Sequence, residues 1–154
     1  MENMVNTNPD SSYSEEADIQ VVAFRLGKEE YAVDILYVQE IVRLLTITRV
    51  PRAERHIEGV VNLRGNIIPI INLHTRFNLP TVGNEEDKRI IVFQLDDIKA
   101  GIIVDEVSEV LHLSKKDIEE TSNVYSAMSA DLIKGIARVD ERLFLLLDLM
   151  KILE

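Results

Sequence analysis

Two stretches of this 154-residue chain repeat one another, so any fold proposed for it must accommodate the same pattern twice. VVAFRLGKEEYAVDILYVQEIV, from Val21, aligns with IIVFQLDDIKAGIIVDEVSEVL, from Ile90, at a shift of 69 (93 − 24). That shift pairs Phe24 with Phe93, Leu26 with Leu95, Val38 with Val107 and Glu40 with Glu109. Further on, IEGVVNLRGNIIPIINL (57–73) aligns with IKGIARVDERLFLLLDL (133–149) at a shift of 76 (135 − 59), pairing Gly59 with Gly135 and Leu73 with Leu149. The growth of the shift by seven (76 − 69) puts an insertion in the second copy, near residues 114–132. Two strand-rich copies predict two similar small β-barrels in tandem, each short on core alone and so packed face to face.

Within the copies the units are short aliphatic runs bounded by turn residues. Val22, Phe24 and Leu26 alternate with Ala23 and Arg25, a strand period. Gly27-Lys28-Glu29-Glu30 reads as a turn, after which Tyr31–Ile35 resumes as a strand. The stretch 36–45 fits helical spacing through Ile35, Val38, Ile41 or Val42, and Leu45, but its β-branched content favours a kinked strand. Pro51 ends it, and residues 52–57 suggest one helical turn. Val60–Leu63 and Ile67–Asn72 flank Arg64-Gly65-Asn66, a tight hairpin connection. Pro69 demotes the second of these runs to an edge strand or a bulge. Residues 80–88 form a polar linker, 148–154 a closing helix, and the polar residues 1–18 a disordered tail. The expected organisation is one domain over 19–154, made of two interleaved barrel subdomains with repeat halves at about 19–79 and 89–154.

Charge and motifs narrow the function. A formal net charge of -10 repels phosphate backbones, which argues against nucleic acid as a partner. No cysteine is present, which removes disulfides and thiolate chemistry. No basic-then-apolar leader is visible and no apolar run approaches the roughly 18–20 residues that cross a bilayer, so a cytoplasmic protein without direct membrane insertion is expected. His56, His74 and His112 are scattered and read as surface residues in turns, so neither metal nor cofactor is expected. The acidic pairs Glu29/Glu30, Glu85/Glu86 and Asp96/Asp97 fall in turns as solvated charges. With no nucleophile elbow and no phosphate-binding loop, catalysis is not indicated.

The stretches EEYAVDILYVQEIV (29–42), ITRVP (47–51), IEGVVNLRGNIIPIINL (57–73) and AGIIVDEVSEVL (100–111) resemble the CheW family in order and spacing, over about residues 19–153. The resemblance implies a mainly β fold of two pseudo-symmetric SH3-like five-stranded barrels with short helices. It also implies a non-enzymatic adaptor that couples methyl-accepting chemoreceptors, at their cytoplasmic tips, to the CheW-like regulatory domain of the chemotaxis histidine kinase CheA. The partner-binding residues it implies are Val38, Glu40, Gly59, Asn62, Arg64 and Gly65. Taken by themselves, Arg64 reads as an ordinary hairpin charge, Val38 as core or half-exposed docking surface, and Glu40 as a solvated strand face, like its counterpart Glu109. Gly65 and Asn66 would serve the turn, and Gly59 a close backbone approach. Asn72 stands where the family often has Asp, whereas the second copy keeps Asp148; a capping role survives that change and an ionised one does not. Two alternatives stay open: a CheW-like coupling domain of a non-flagellar signalling system, and a small β-barrel ligand-binding protein or enzyme with a site between the halves.

Overall fold

The computed structural model describes residues 18–51, 56–119 and 132–153. The expected N-terminal tail, most of the 52–57 turn and most of the insertion lie outside these, and Ile57 already belongs to a strand. The first copy supplies β1 (Asp18–Leu26), β2 (Glu29–Asp34), β3 (Val38–Arg43), β4 (Ile57–Leu63), β5 (Asn66–Ile71) and α1 (Leu73–Phe77). The second supplies β6 (Arg89–Leu95), β7 (Ile98–Val104), β8 (Glu106–Ser114), β9 (Ile118–Glu119), β10 (Ile133–Val139), β11 (Arg142–Leu147) and α2 (Leu149–Leu153).

The strands form a six-stranded sheet, β9-β10-β11-β2-β1-β8, and a five-stranded sheet, β3-β6-β7-β5-β4. Each sheet is therefore built from both copies. The β1–β2 hairpin of the first joins β8, β10 and β11 of the second, and the β6–β7 hairpin of the second joins β3, β4 and β5 of the first. This corrects the tandem arrangement: the fold is mainly β, in two sheet subdomains that exchange their opening hairpins. The joins are parallel pairings, Leu145 with Tyr31 in one sheet and Ile70 with Gly101 in the other.

Burial shows why the hairpins are exchanged. β1 and β6 are interior strands covered on both faces. Val22 and Phe24 on β1 and Ile91 and Phe93 on β6 point into one large core between the sheets. Their neighbours point the other way, Val21 and Ala23 into a core behind the first sheet, Ile90 and Val92 into one behind the second. A strand apolar on both faces needs a neighbour along each edge and cover on each side, which one copy alone does not provide.

Three local features bear on the expectations. The 36–45 stretch is a one-turn 3-10 helix (Ile35–Tyr37), with Asp34 Oδ1 accepting from Leu36 N at 2.9 Å, followed by β3. β3 then bulges at Gln39 where it pairs with Phe93 and Val92, as β8 bulges at Ser108 against Phe24 and Ala23. Pro69 is neither on an edge strand nor in a bulge: β5 lies between β4 and β7. It sits opposite Val60, two pairs from Asn62 and Ile67 in a hairpin whose flanking pair is Leu63–Asn66. In such a ladder hydrogen-bonded and non-bonded pairs alternate, so the Pro69 nitrogen points towards β7, where pairing starts only at Ile70. α1, which has no counterpart among the sequence expectations, begins at Asn72, whose Oδ1 accepts from Thr75 N. α2 is the expected closing helix, with Asp148 Oδ1 accepting from Lys151 N.

Candidate functional site

The β4–β5 hairpin turns on Arg64 and Gly65, with φ of 53° and 89°. Two positive-φ residues make a mirror-image turn that matches the twist of the flanking strands and favours Asn-Gly or Gly-Gly. The other two-residue hairpins each carry a single positive-φ residue, Gly27, Asp96 or Asp140, residue types that tolerate the left-handed region. Among the described residues Arg64 alone adopts positive φ without being Gly, Asn or Asp. The left-handed region costs such a residue about 1–2 kcal/mol. Asn62 completes the turn, its Oδ1 accepting from Gly65 N at 2.9 Å. A Cβ on Gly65 would meet nothing within 4 Å, so that glycine serves conformation, as expected.

The Arg64 guanidinium donates to Glu40 on β3. β3 and β4 are opposite edges of the five-stranded sheet, so this ion pair spans a sheet curled until its edges approach. Thr48, beyond β3, makes the same approach through reciprocal 2.8 Å backbone bonds with Val60. Gly59 permits it: a Cβ there would lie 2.3 Å from the Thr48 carbonyl oxygen. Its counterpart Gly135 stands in a looser version of the same contact, 3.2 Å from the Glu119 carbonyl oxygen.

The structure thus brings Glu40, Asn62, Arg64 and Gly65 together at one end of the sheet. Val38 lies two residues along β3 from Glu40, half-buried at the margin of the central core. Gly59 shapes the far part of β4 and is not exposed at the hairpin. The apolar surface beside these residues was not evident from sequence: Leu36 is 82% exposed, and Tyr37 and Ile41 are also exposed. Its signal was an Ile-Leu-Tyr run carried on a turn rather than within a strand. In the second copy the equivalent carboxylate, Glu109, keeps to an outward strand face but is ion-paired to Arg142 Nη1 at 2.8 Å. Arg142 also binds Glu30 at 2.7 Å and lies over the Phe144 ring. Glu30 and then Glu109 raise its pKa above the ordinary arginine value. With the cation moved onto β11, the turn there can take Asp140-Glu141.

One histidine departs from expectation. His74 is not a surface residue: it is 6% exposed on α1, and its ring Nε2 donates to the buried Asp105 at 3.0 Å. Asp105 also accepts from Gly27 N at 2.8 Å, and its own N–H donates to the Arg25 carbonyl. The pair ties α1 and the β1–β2 turn to the β7–β8 junction, which is a structural role. Among the described residues no group of three or more His, Asp or Glu is placed to hold a metal ion, and no helix is long and apolar enough to cross a membrane.

Comparison with known proteins adds to this geometry. The CheW-like domain model matches residues 20–154. A chemotaxis protein CheW of Treponema pallidum is 36% identical over 137 residues, covering 86% of this chain and 81% of the relative. One from Klebsiella aerogenes is 37% identical over 134 residues, covering 87% and 81%. The crystal structure of scaffolding protein TtCheW from Thermoanaerobacter tengcongensis superposes with a TM-score of 0.78 at 37% identity, covering 86% of this chain and 90% of that one.

Proposed function

The chain belongs to the CheW-like domain family, and from that premise we propose that its Arg64 hairpin is the contact through which it couples a chemotaxis kinase to chemoreceptors. It is a non-enzymatic adaptor of chemotaxis signalling. Its partners in this reading are the CheW-like regulatory domain of the histidine kinase CheA and the cytoplasmic tips of methyl-accepting receptors. The protein is cytoplasmic and is recruited to receptor arrays through those contacts. Each curled sheet is one SH3-like barrel of a single 19–154 domain, and the two outward ends of the pseudo-symmetric body face different partners. Fixing receptor and kinase on one rigid body lets a movement of the first bias the activity of the second.

The observation that carries the site is the arginine held in left-handed backbone, where its counterparts in the other hairpins are Gly or Asp. Its ion pair with Glu40 is mostly solvated, and such pairs contribute only about 0–1 kcal/mol. Local stability is thus no reason to keep an arginine there, whereas arginine is enriched among residues that dominate interfaces. Val38, Glu40, Asn62, Gly65 and Gly59 then form the rest of the partner-binding set: Val38 as apolar contact, Glu40 as the group that orients Arg64, and Asn62, Gly65 and Gly59 as shape.

Titration of the wild type and Arg64→Ala against the kinase's regulatory domain and a receptor-tip fragment tests this. The expected result is binding by the wild type to both, and loss of one contact in the variant with circular dichroism unchanged. Unchanged binding to both partners would return Arg64 to a plain hairpin charge.

A further inference from the structure

The repeat supplies an internal control for one pair of side chains. At the shift of 69, Arg43 on β3 corresponds to His112 on β8, and Arg89 on β6 to Gln20 on β1. In each sheet the two face one another directly across the ladder, Arg43 opposite Arg89 and Gln20 opposite His112. The fold therefore accommodates an ordinary polar pair at this position, yet the five-stranded sheet carries two permanent cations there. Like charges directly opposite one another destabilise a sheet.

No described residue neutralises the pair. In a chain with 27 acidic and 17 basic residues, Arg49, Arg64 and Arg142 each have a carboxylate partner. Arg43 is exposed and has no hydrogen bond or ion pair with a described residue. Arg89 is half-buried, and its contacts are backbone carbonyls: Nη1 donates to Glu86 O and to Lys88 O, each at 2.8 Å. Those bonds fix the guanidinium without cancelling its charge, and they leave the Nη2 and Nε donors for another acceptor. In the preceding turn the Glu85 carboxylate goes to Lys88, at 3.0 Å. Two residues before Arg43, on the same face of β3, Ile41 is 38% exposed.

We propose that Arg43 and Arg89 are the charged part of the partner-binding surface, taking carboxylates from a protein segment that also sets an apolar side chain against Ile41. This rests on the adaptor reading and extends the contact from the β4–β5 hairpin along β3, the strand of Val38 and Glu40. Two neighbouring guanidinium forks suit carboxylates, which they bind with two parallel bonds each. A free anion would gain the charge alone, whereas the exposed Ile41 adds a contact that only an attached side chain can use. On a surface of net charge -10, which repels acidic partners elsewhere, an isolated pair of cations fixes where an acidic segment docks and in which register.

The test titrates the full chain against the kinase's regulatory domain and, separately, a receptor-tip fragment, at about 50 mM and about 300 mM salt. The double variant Arg43→Gln/Arg89→Gln should bind one of the two at least about tenfold more weakly than the wild type, with a shallower salt dependence. Arg43→Glu/Arg89→Glu should not bind it at all. Arg43→Gln alone, at an exposed side chain without a described contact, should weaken the same contact, and it decides the matter if replacing Arg89 disturbs the ladder. Arg64→Ala is the reference. Wild-type binding that Arg64→Ala weakens and the well-folded Arg43 and Arg89 variants leave unchanged would overturn this proposal and spare the adaptor reading. A wild type that binds neither partner would end both. Self-association abolished by the glutamine variant would make a second copy the occupant and overturn the proposal as well.

Discussion

Replacing Arg64 with Asn separates what the residue costs from what it does. Arg64 holds a φ of 53°, and the next residue is Gly65, so the variant has an Asn-Gly turn in the mirror-image form that such hairpins prefer. Asn tolerates left-handed backbone, which relieves most of the about 1–2 kcal/mol that Arg incurs there. Against this stands loss of the Glu40 ion pair, worth about 0–1 kcal/mol because the Arg64 side chain is 66% exposed. The net expectation is a gain of roughly 0.5–1 kcal/mol, or about 1–4 °C in Tm for a domain of this size. Urea unfolding should show a higher midpoint at unchanged slope, which locates the effect in stability and not in the compactness of either state. In the same variant, affinity for at least one partner should fall. A stability loss of more than about 1 kcal/mol would refute the reasoning, because it would make the ion pair a structural clamp and leave no cost for function to explain.

Other positions give sharper losses. Gly59→Ala places a Cβ 2.3 Å from the Thr48 carbonyl oxygen, so urea unfolding should show a loss of at least about 2–3 kcal/mol, whereas Gly135→Ala, at 3.0–3.2 Å, should lose less. His74→Ala leaves the Asp105 carboxylate buried with one donor fewer; a loss of about 3–5 kcal/mol is expected from thermal or urea unfolding. Asn72→Asp keeps the α1 cap but removes the amide that donates to Glu58 Oε1 at 2.7 Å and sets two carboxylates together. The variant should be less stable by about 1–2 kcal/mol at neutral pH. Its deficit should shrink on acidification, since protonating either carboxyl removes the repulsion and restores a donor.

Much of this was legible in the sequence because a duplication prints its register into the residues. The two shifts located both copies of every long strand, and the alternation through Phe24 and Phe93 marked the strands that face the central core. Interleaving was harder to place, since a run such as Val21–Phe24 states that both faces are buried but not which copy supplies the cover. Pro69 was misread because sequence does not say where pairing with a neighbour begins. His74 was misread for a related reason: its partner Asp105 is 31 residues away, and only the packing of α1 on the β7–β8 junction brings them together. At the site, the hairpin and its glycine were readable, but the strain on Arg64 and its reach to Glu40 required the curl of the sheet.

Reconstitution tests the coupling of receptor to kinase most directly. Kinase autophosphorylation would be followed with receptor-containing membranes, with and without this chain, and before and after attractant. The kinase should come under receptor control only when the chain is present, and Arg64→Ala should weaken that control. A well-folded chain that leaves kinase activity indifferent to attractant would contradict that coupling.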